Sequence, residues 1–345
     1  MKWYESPLVD ESIVISARVR FARNFEKYPF PIKLTDSAAQ EMAAATARAA
    51  LSGNGTAFTD ELRYFDITDT PQESLLPLME RHVLSSHMVA KKGVKGIILN
   101  GREDVSVMLN EEDHARIQSI FPGDNLDGAY AAADALDTLI EDKGQHKYAF
   151  DQEYGFLTSC PTNAGTGMRA SLMLHLPALE NTGYIAKMLP ALGKFRMTVR
   201  GIHGEGSESL GAVYQISNQF SLGKPETEIL QALKSAVNWI INQEKSMREK
   251  FFTKHRIAVE DKLYRSWGIL TSCRTLDHKE GMNLLSDARM GFESGIYTMP
   301  RPAKTIYALM TNIQPGSLCA IAGKPLNQEE RNIYRAEYIR EQLKA

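Results

Sequence analysis

The chain has 345 residues, of which 43% are hydrophobic and 24% are charged, and its formal net charge at pH 7 is −2. This composition is that of a globular protein with enough length for one large domain or two of ordinary size. The balanced charge gives no overall attraction to nucleic acid or to a membrane surface, so any such function would need a local basic cluster.

The chain opens with a predicted strand that carries arginines. Residues 12–24, SIVISARVRFARN, begin with alternating apolar residues, which is the period of a β-strand. Arg18 and Arg20 lie two positions apart on it. Since side chains alternate across a strand, both guanidinium groups should lie on the same face.

Two predicted helices follow this strand. Residues 35–51 are rich in alanine, and Ser37 followed by Gln40 has the pattern of a capping box at the start of a helix. Residues 73–91 are helical in character, with an interruption expected at Pro77.

The next segment predicts a β-hairpin. The β-rich runs 94–99 and 105–109 flank a turn that contains asparagine, glycine and aspartate. The second strand runs directly into the acidic segment NEEDH, residues 110–114, which has the charge pattern of a helix N-terminus. Arg116 would then lie one helical turn after Glu112, and a further helix is predicted at 127–143.

The second half of the chain changes from mixed to helical. Residues 195–202 and 211–218 predict another hairpin, and residues 224–252 have apolar side chains at helical spacing. Beyond about residue 250 the strand signals vanish, and the predicted helices are 254–266, 283–291, 303–312 and 325–344. We therefore predict an α+β fold, with one domain at 1–250 and a helical domain at 251–345.

The cysteines and the N-terminus indicate a cytoplasmic protein. Cys160, Cys273 and Cys319 are too few and too scattered for a disulfide framework or a zinc site. The first residues lack an apolar segment of signal-peptide length, and no run of eighteen apolar residues predicts a membrane span. We expect no metal site formed by side chains.

Five arginines stand where predicted strands meet loops, namely Arg18, Arg20, Arg116, Arg169 and Arg200. Ligand sites often form at such positions. A single arginine there would usually be a surface ion pair, but five beside glycine-containing loops favour a shared anion site. The guanidinium fork binds phosphate oxygens in pairs, whereas the lysine of a phosphate loop is absent after Gly165 and Gly167.

Other candidates are two carboxylates, a cysteine and two histidines. Glu112 lies just after a predicted strand and Glu205 lies in a predicted loop between strands, and each could instead be a solvated charge, as at a helix N-terminus. Cys160 could be a buried structural cysteine or a reactive thiolate beside cations. His114 and His203 could act as acid or base, although a single histidine is weak evidence.

Taken in order along residues 10–245, five segments resemble the signature segments of the ATP:guanido phosphotransferases, the family of the creatine and arginine kinases. They are ISARVRFARN, NEEDHARIQ, SCPTNAGTGMRASLMLHLP, RGIHGEGSES and YQISNQFSLG. The resemblance implies a phosphagen-kinase-like catalytic domain with a mainly antiparallel sheet flanked by helices. It also implies phosphoryl transfer from ATP with Mg²⁺, which the phosphates themselves would mainly hold.

The resemblance implies roles for individual residues. The five arginines would bind the phosphates of ATP, Glu112 and Glu205 would hold the acceptor guanidinium, and Cys160 would lie beside it. The nucleotide site would also include Ser16, His82, Ala170, Ser171, Leu172, Met173, Gly201, Ile202, His203, Gly204 and Glu205.

The arrangement of the chain is similar to that of the bacterial protein arginine kinases. Kinases of free creatine or arginine carry a helical lobe of about a hundred residues before the first signature strand, and here fifteen residues precede Ser16. In the protein arginine kinases a segment written RDxxRA binds phosphoarginine at an allosteric site near the dimer contact. Arg331, Asn332, Arg335 and Ala336 occupy the corresponding positions. Asn332 replaces the motif aspartate and lacks its charge.

The sequence therefore predicts an ATP-dependent protein arginine kinase that acts as a homodimer on proteins with exposed arginines. The resemblance further implies stress-response protein quality control, with a zinc-binding activator protein and a Clp ATPase and protease as partners. One alternative is a phosphagen kinase for a free guanidino compound. Another is an inactive adaptor that binds phosphoarginine through Arg331 and Arg335.

Overall fold

The computed structural model describes residues 1–6, 13–53, 61–203, 209–299, 302 and 304–344. The chain forms two compact units. The first unit comprises Met1–Trp3, Ser16–Ser171 and Ser217–Leu233. The second unit comprises Tyr4–Ile15, Leu172–Ile216 and Lys234–Ala345.

An eight-stranded sheet is the main β-structure of the described residues. Its strands are β1 Val14–Arg23, β2 Arg63–Asp66, β3 Gly96–Leu99, β4 Val105–Leu109, β5 Ala115–Pro122, β8 Met168–His175, β9 Met197–His203 and β10 Ser209–Asn218. The strand order is β2-β3-β4-β5-β1-β8-β10-β9. Two short strands, β6 Phe150–Asp151 and β7 Gly155–Phe156, form a separate antiparallel hairpin.

Helices cover much of the remaining chain. They are α1 Asp36–Leu51, α2 Gln72–Glu80, α3 Ser86–Ala90, α4 Leu126–Lys143, α5 Pro177–Asn181, α6 Tyr184–Lys194, α7 Glu226–Lys254, α8 Arg256–Ser272, α9 His278–Glu293, α10 Ile306–Asn312, α11 Pro315–Ala322 and α12 Gln328–Leu343. After α7 begins, the described residues contain helices and loops but no strand. The predicted α+β class is confirmed.

The start of α1 differs from the prediction. Thr35, not Ser37, is the N-cap, and its hydroxyl oxygen accepts a hydrogen bond from the Ala38 amide at 3.4 Å. Thr35 has the extended backbone of a cap residue, whereas Ser37 already lies in the first helical turn. The capping-box pattern thus located the helix but placed its cap two residues too late.

The helical region after α1 is also interrupted at another point than predicted. Pro77 lies inside α2, where it removes one hydrogen bond without ending the helix. The break comes at His82, whose φ of 62° is left-handed and incompatible with continuing the helix. Ser85 then caps α3 by accepting a hydrogen bond from the Met88 amide at 2.9 Å.

The acidic segment 110–114 forms a turn between two strands, so its prediction as a helix start was wrong. Asn110 has a left-handed φ of 59°, and its amide donates to the His114 carbonyl at 2.9 Å. This closed turn leads directly into β5, which places Arg116 on a strand. Asparagine tolerates the left-handed conformation better than most residues, which is why the chain can reverse there. The sequence prediction also lacked β2, β5, α5, α6 and α11.

A network of charged side chains is buried in the second unit. Glu293 accepts hydrogen bonds from Arg289 Nε at 2.5 Å and from Arg248 Nη1 at 2.7 Å. Glu244 on α7 accepts from Arg248 and from the backbone amide of Ala178 at the start of α5. Because buried charges are costly without partners, these pairings fix the helices around α5 in one arrangement.

No helix in the described part of the chain combines the length and the apolar character that a membrane crossing would need.

Candidate active site

Three neighbouring strands of the sheet bring four of the predicted arginines together. In the antiparallel pairing of β1 with β5, Arg20 lies opposite Gln118, and Ala22 lies opposite Arg116. Since Arg18, Arg20 and Ala22 alternate on one face, Arg116 shares that face. The strand on the other side of β1 is β8, which carries Arg169 near its start.

The electrostatics of Arg20 reflect this arrangement of the four groups. Burial, followed by the charges of Arg18, Arg116 and Arg169, lowers the pKa of Arg20 well below its ordinary value. The Nε atom of Arg20 is fully buried and has no hydrogen-bond partner in the part of the chain that the structure describes. Four cations in one region repel one another, so the arrangement fits a polyanionic ligand such as a triphosphate.

Glu111 is a carboxylate beside this cluster that the sequence analysis did not select. It is only 2% exposed, and Arg116 Nη1 donates to it at 2.8 Å. It also accepts from Ser85 Oγ at 2.5 Å and from the Glu112 amide at 2.7 Å. Burial alone would raise the pKa of Glu111, but Arg116 and these hydrogen bonds hold it below the ordinary value. Glu111 thus fixes Arg116 and the backbone of Glu112 together.

Glu112 lies at the tip of the turn with its side chain half-exposed. Its Oε2 atom is 3.4 Å from Arg116 Nη2, at the edge of the arginine cluster. Its carbonyl accepts a hydrogen bond from Ser159 Oγ at 2.8 Å. The carboxylate therefore lies beside the cationic cluster while remaining open to solvent and to a second substrate.

Asp113 and Asn24 join the turn of Glu112 to the loop of Cys160. Asp113 Oδ1 accepts from Asn24 Nδ2 at 2.7 Å and from the Ser159 amide at 2.7 Å. Cys160, the next residue, is half-buried, and its Sγ atom lies 3.0 Å from Thr162 Oγ1. These bonds hold the Glu112 turn and the Cys160 loop side by side.

His114 supports this arrangement as a neutral imidazole. Its Nδ1 accepts from the Phe25 amide at 3.0 Å, so Nε2 carries the proton that it donates to the Pro29 carbonyl at 2.9 Å. Burial lowers the pKa of His114 from its ordinary value. Both ring nitrogens are thus occupied in packing the turn, which removes His114 from the acid–base candidates.

The loop between Cys160 and β8 is fixed at its far end by a buried arginine. Arg23 pairs with Asp137 at 2.5 Å and donates to the Thr166 carbonyl at 2.9 Å. Its guanidinium carbon lies 3.6 Å from the ring centre of Phe156. The sequence groups Arg23 with Arg18 and Arg20, but its position along β1 places it on the opposite face, where it is structural.

Gly167 lies where there is no room for a side chain. Its φ is +67°, and a Cβ atom there would lie 2.7 Å from the Ala22 carbonyl oxygen and also collide with Arg23 Nη1. We expect Gly167→Ala to lower the free energy of unfolding by at least about 2 kcal/mol, from left-handed strain plus displacement of the buried pair. Denaturant unfolding followed by circular dichroism measures this.

A matched control is Gly223→Ala. Gly223 also has a positive φ, +77°, but a Cβ atom there has no atom within 4 Å. It should cost only the backbone strain of about 1 kcal/mol. Equal losses in the two variants would show that the contact with Arg23 does not constrain the loop.

Other residues predicted for the nucleotide site lie on or beside strands β1, β5 and β8. The His82 carbonyl accepts from Gln118 Nε2 at 2.8 Å, which places this left-handed residue over the strand position opposite Arg20. Ser16 on β1 is buried, as are Ala170, Ser171, Leu172 and Met173 on β8.

The predicted residues of the second unit are only partly described. Arg200 is exposed on β9, Gly201 and Ile202 are half-buried there, and the strand ends at His203. Gly204 and Glu205 lie outside the described residues. The structure therefore brings together the arginines of the first unit with Glu112 and Cys160, and it describes Arg200 separately.

The arginines of the C-terminal helix α12 are bound to main-chain oxygens. Arg335 is 1% exposed and donates to the carbonyls of Ile313 at 3.0 Å and Leu276 at 2.8 Å, and to Asn332 Oδ1 at 2.8 Å. Burial, and then the charge of Arg331, lowers its pKa to about 10. Arg331 donates to the Leu326 carbonyl at 2.7 Å, and Ala336 is buried.

Comparison with known proteins identifies the family. Residues 43–247 match the family described as ATP:guanido phosphotransferase, C-terminal catalytic domain. Residues 256–345 match the protein-arginine kinase McsB C-terminal domain. The chain belongs to the ATP:guanido phosphotransferase family, a class of enzymes that use ATP. Within that family it belongs to the protein-arginine kinases.

Full-length relatives support the assignment to the protein-arginine kinases, and a solved structure supports the wider family. A protein-arginine kinase of Clostridium acetobutylicum is 41% identical over 342 residues, which are 99% of this chain and 99% of the relative. One of Bacillus subtilis is 41% identical over 99% of this chain and 93% of its own. A lombricine kinase structure, 26% identical, covers 70% of this chain and 69% of its own with a TM-score of 0.61. The predicted family and enzyme class are thus confirmed.

Proposed function

We propose that this enzyme transfers the γ-phosphate of ATP to the guanidinium group of arginine side chains in proteins. The observation that carries the proposal is the packing of Arg18, Arg20, Arg116 and Arg169 beside the half-exposed carboxylate of Glu112. A polyanionic donor would neutralise the arginines, and a cationic acceptor would pair with the carboxylate. The full-length similarity to protein-arginine kinases supports an arginine side chain as the acceptor.

In the proposed mechanism the arginines hold the phosphates and neutralise the charge that spreads over the transferred group. Phosphoryl transfer through a loose transition state depends mainly on alignment and charge stabilisation, which guanidinium forks provide. Arg200 would be the fifth phosphate ligand. Mg²⁺ would bind mainly to the phosphate oxygens of ATP.

The acceptor requires a base because a protonated guanidinium is a poor nucleophile. We assign Glu112 and Glu205 to hold it through paired hydrogen bonds, with one of them accepting the proton from the attacking nitrogen. The N–P bond forms as the bond from the γ-phosphorus to the bridging oxygen breaks, and ADP leaves with that oxygen. Cys160, whose loop adjoins the Glu112 turn, would complete the acceptor site.

We extend the proposal to the oligomeric state, the domains and the partners of the enzyme. We propose a cytoplasmic homodimer with a catalytic domain at 1–250 and a helical domain at 251–345 that binds phosphoarginine through the region of Arg331, Asn332, Arg335 and Ala336. The arginines already bonded to main-chain oxygens would then exchange those partners for the ligand. We further propose that the enzyme marks proteins for a Clp protease under stress and that a zinc-binding activator protein is its partner.

The test is a phosphorylation assay with ATP, Mg²⁺ and an arginine-rich unfolded protein. We expect acid-labile phosphate on arginine, mapped by mass spectrometry under non-acidic conditions. Release of ADP only with free arginine or another guanidino compound would contradict the proposal in favour of a phosphagen kinase. Binding of phosphoarginine without any turnover would instead identify an adaptor.

A further inference from the structure

Three segments of the first unit meet at Gly165, five residues after Cys160. The Phe156 amide of the β6–β7 hairpin donates to the Gly165 carbonyl at 2.8 Å. On the other side Ser221 forms a β-bridge with Gly165, and its hydroxyl donates to the Ala164 carbonyl at 2.8 Å. The contact is close, because a Cβ atom on Gly165 would lie 2.6 Å from Leu222 Cα. The Cys160 loop is thus enclosed between the hairpin and the residues after β10.

Large apolar side chains on both flanking segments are exposed to solvent. We define them as the apolar rim: Phe150 at 59% exposure, Tyr154 at 51%, Phe220 at 42% and Leu222 at 44%. Tyr154 and Leu222 immediately neighbour residues that bridge to Gly165, and Phe220 precedes Ser221. The Phe150 and Phe156 rings are 5.3 Å apart. Isolated exposed apolar residues are common, but a group on adjoining segments indicates an interaction surface.

The apolar rim adjoins the Cys160 loop. A polypeptide whose arginine binds at the acceptor site would therefore also lie against the rim. The turn Pro161–Asn163 connects Cys160 to Ala164 and Gly165, and Pro161 and Thr162 are exposed. An extended polypeptide advances about 3.3–3.6 Å per residue, so residues a few positions from an arginine at the acceptor site can reach the rim. A free guanidino compound is too small to touch both places.

We propose that the apolar rim binds apolar side chains that flank the target arginine in an unfolded polypeptide. This rests on the proposed acceptor site at Glu112 and Cys160, and it assigns a second contact surface for the residues that flank the arginine. Folded proteins bury most apolar side chains, whereas an unfolded chain exposes them next to its arginines. Contact with the rim would therefore select non-native segments over arginines on well-folded surfaces.

The experiment uses two peptides of equal length and charge, each with one central arginine. One has leucine and phenylalanine at the second to fourth positions on either side of the arginine, and the other has serine there. We expect the full-length enzyme to phosphorylate the apolar peptide with a KM at least about tenfold lower, with kcat little changed. Binding of both labelled peptides is measured in parallel by fluorescence anisotropy.

The rim variant Tyr154→Ser, Phe220→Ser and Leu222→Ser should lose the preference while phosphorylating the serine peptide as before. Phe65→Ser is the matched control, since Phe65 is 47% exposed on the edge strand β2, away from Gly165. It should keep the preference for the apolar peptide.

The outcomes separate this inference from the proposed function. Equal KM and equal affinity for the two peptides in the unmodified enzyme would overturn the rim assignment, even if both are phosphorylated. A rim variant that loses activity on both peptides equally, or changes only its oligomeric state, would overturn it too. If neither peptide is phosphorylated the proposed function fails, and the anisotropy measurement still decides whether the rim binds apolar chains.

Discussion

Replacing Glu112 by glutamine is expected to lower kcat by about 10²–10⁴-fold, the usual contribution of a positioned general base. Glutamine preserves the shape of the side chain but cannot accept the guanidinium proton or balance its charge. The side chain is half-exposed, and its contact in the described structure is Arg116 at 3.4 Å, so the free energy of unfolding should change by less than about 0.5 kcal/mol. Steady-state kinetics and denaturant unfolding of the same preparation measure both quantities.

Two further variants test whether the loss of activity is specific to the carboxylate of Glu112. Glu61→Gln alters an exposed carboxylate that pairs with Arg63 at 3.2 Å, and it should change neither quantity. Glu111→Gln removes charge from a buried carboxylate that holds Arg116, Ser85 and the Glu112 amide, so it should lower both activity and stability. Near-normal turnover in Glu112→Gln would exclude Glu112 as the base and would leave Glu205 as the candidate.

Local periodicity was sufficient to predict part of the site. Arg18 and Arg20 alternate on β1, and the rule that alternate residues share a face correctly placed both in one cluster. The same rule sets Arg23 apart, since it is an odd number of positions from Arg20 and lies on the opposite face. That distinction was available in the sequence, although only the structure shows Asp137 as its partner.

Other parts of the site depend on residues far apart in the chain. The turn at 110–114 has the charge pattern of a helix start, and the structure prevents a helix through bonds with Asn24 and Ser159. These partners are separated from Asp113 by 89 and 46 residues, so no local pattern reveals them. Glu111 was missed for the same reason. Its role depends on burial beside Arg116. The sequence does not show this, because Glu111 and Glu112 are adjacent residues of the same type.

Replacing Arg20 by methionine is expected to abolish most activity and at the same time stabilise the protein. Arg20 lies among Arg18, Arg116 and Arg169, and burial with these like charges lowers its pKa. Its Nε atom is buried without a hydrogen-bond partner among the described residues, and the nearby charge of Glu111 offsets only part of the effect, so we expect electrostatic strain that phosphate binding would relieve. A methionine of similar length removes that strain, so the free energy of unfolding should rise by about 1 kcal/mol.

The same side chain would be needed in the transition state, where charge spreads over the transferred phosphoryl oxygens. Loss of an arginine with that role costs about 10³–10⁵ in kcat. ATP should also raise the melting temperature of the unmodified enzyme more than that of Arg20→Met, because the variant has lost a ligand of the phosphates. Thermal unfolding with and without ATP, alongside the kinetic assay, measures both effects.

Arg23→Met on the same strand is the matched comparison, and the expected change in stability has the opposite sign. Arg23 is buried against Asp137 at 2.5 Å, so its removal leaves an uncompensated buried carboxylate. We expect a loss of about 3–5 kcal/mol, as for other broken buried pairs. A loss of stability in Arg20→Met comparable with that in Arg23→Met would show that Arg20 already has a strong internal partner. In that case the cluster on β1, β5 and β8 would be a structural charge network, and the phosphates would have to bind elsewhere.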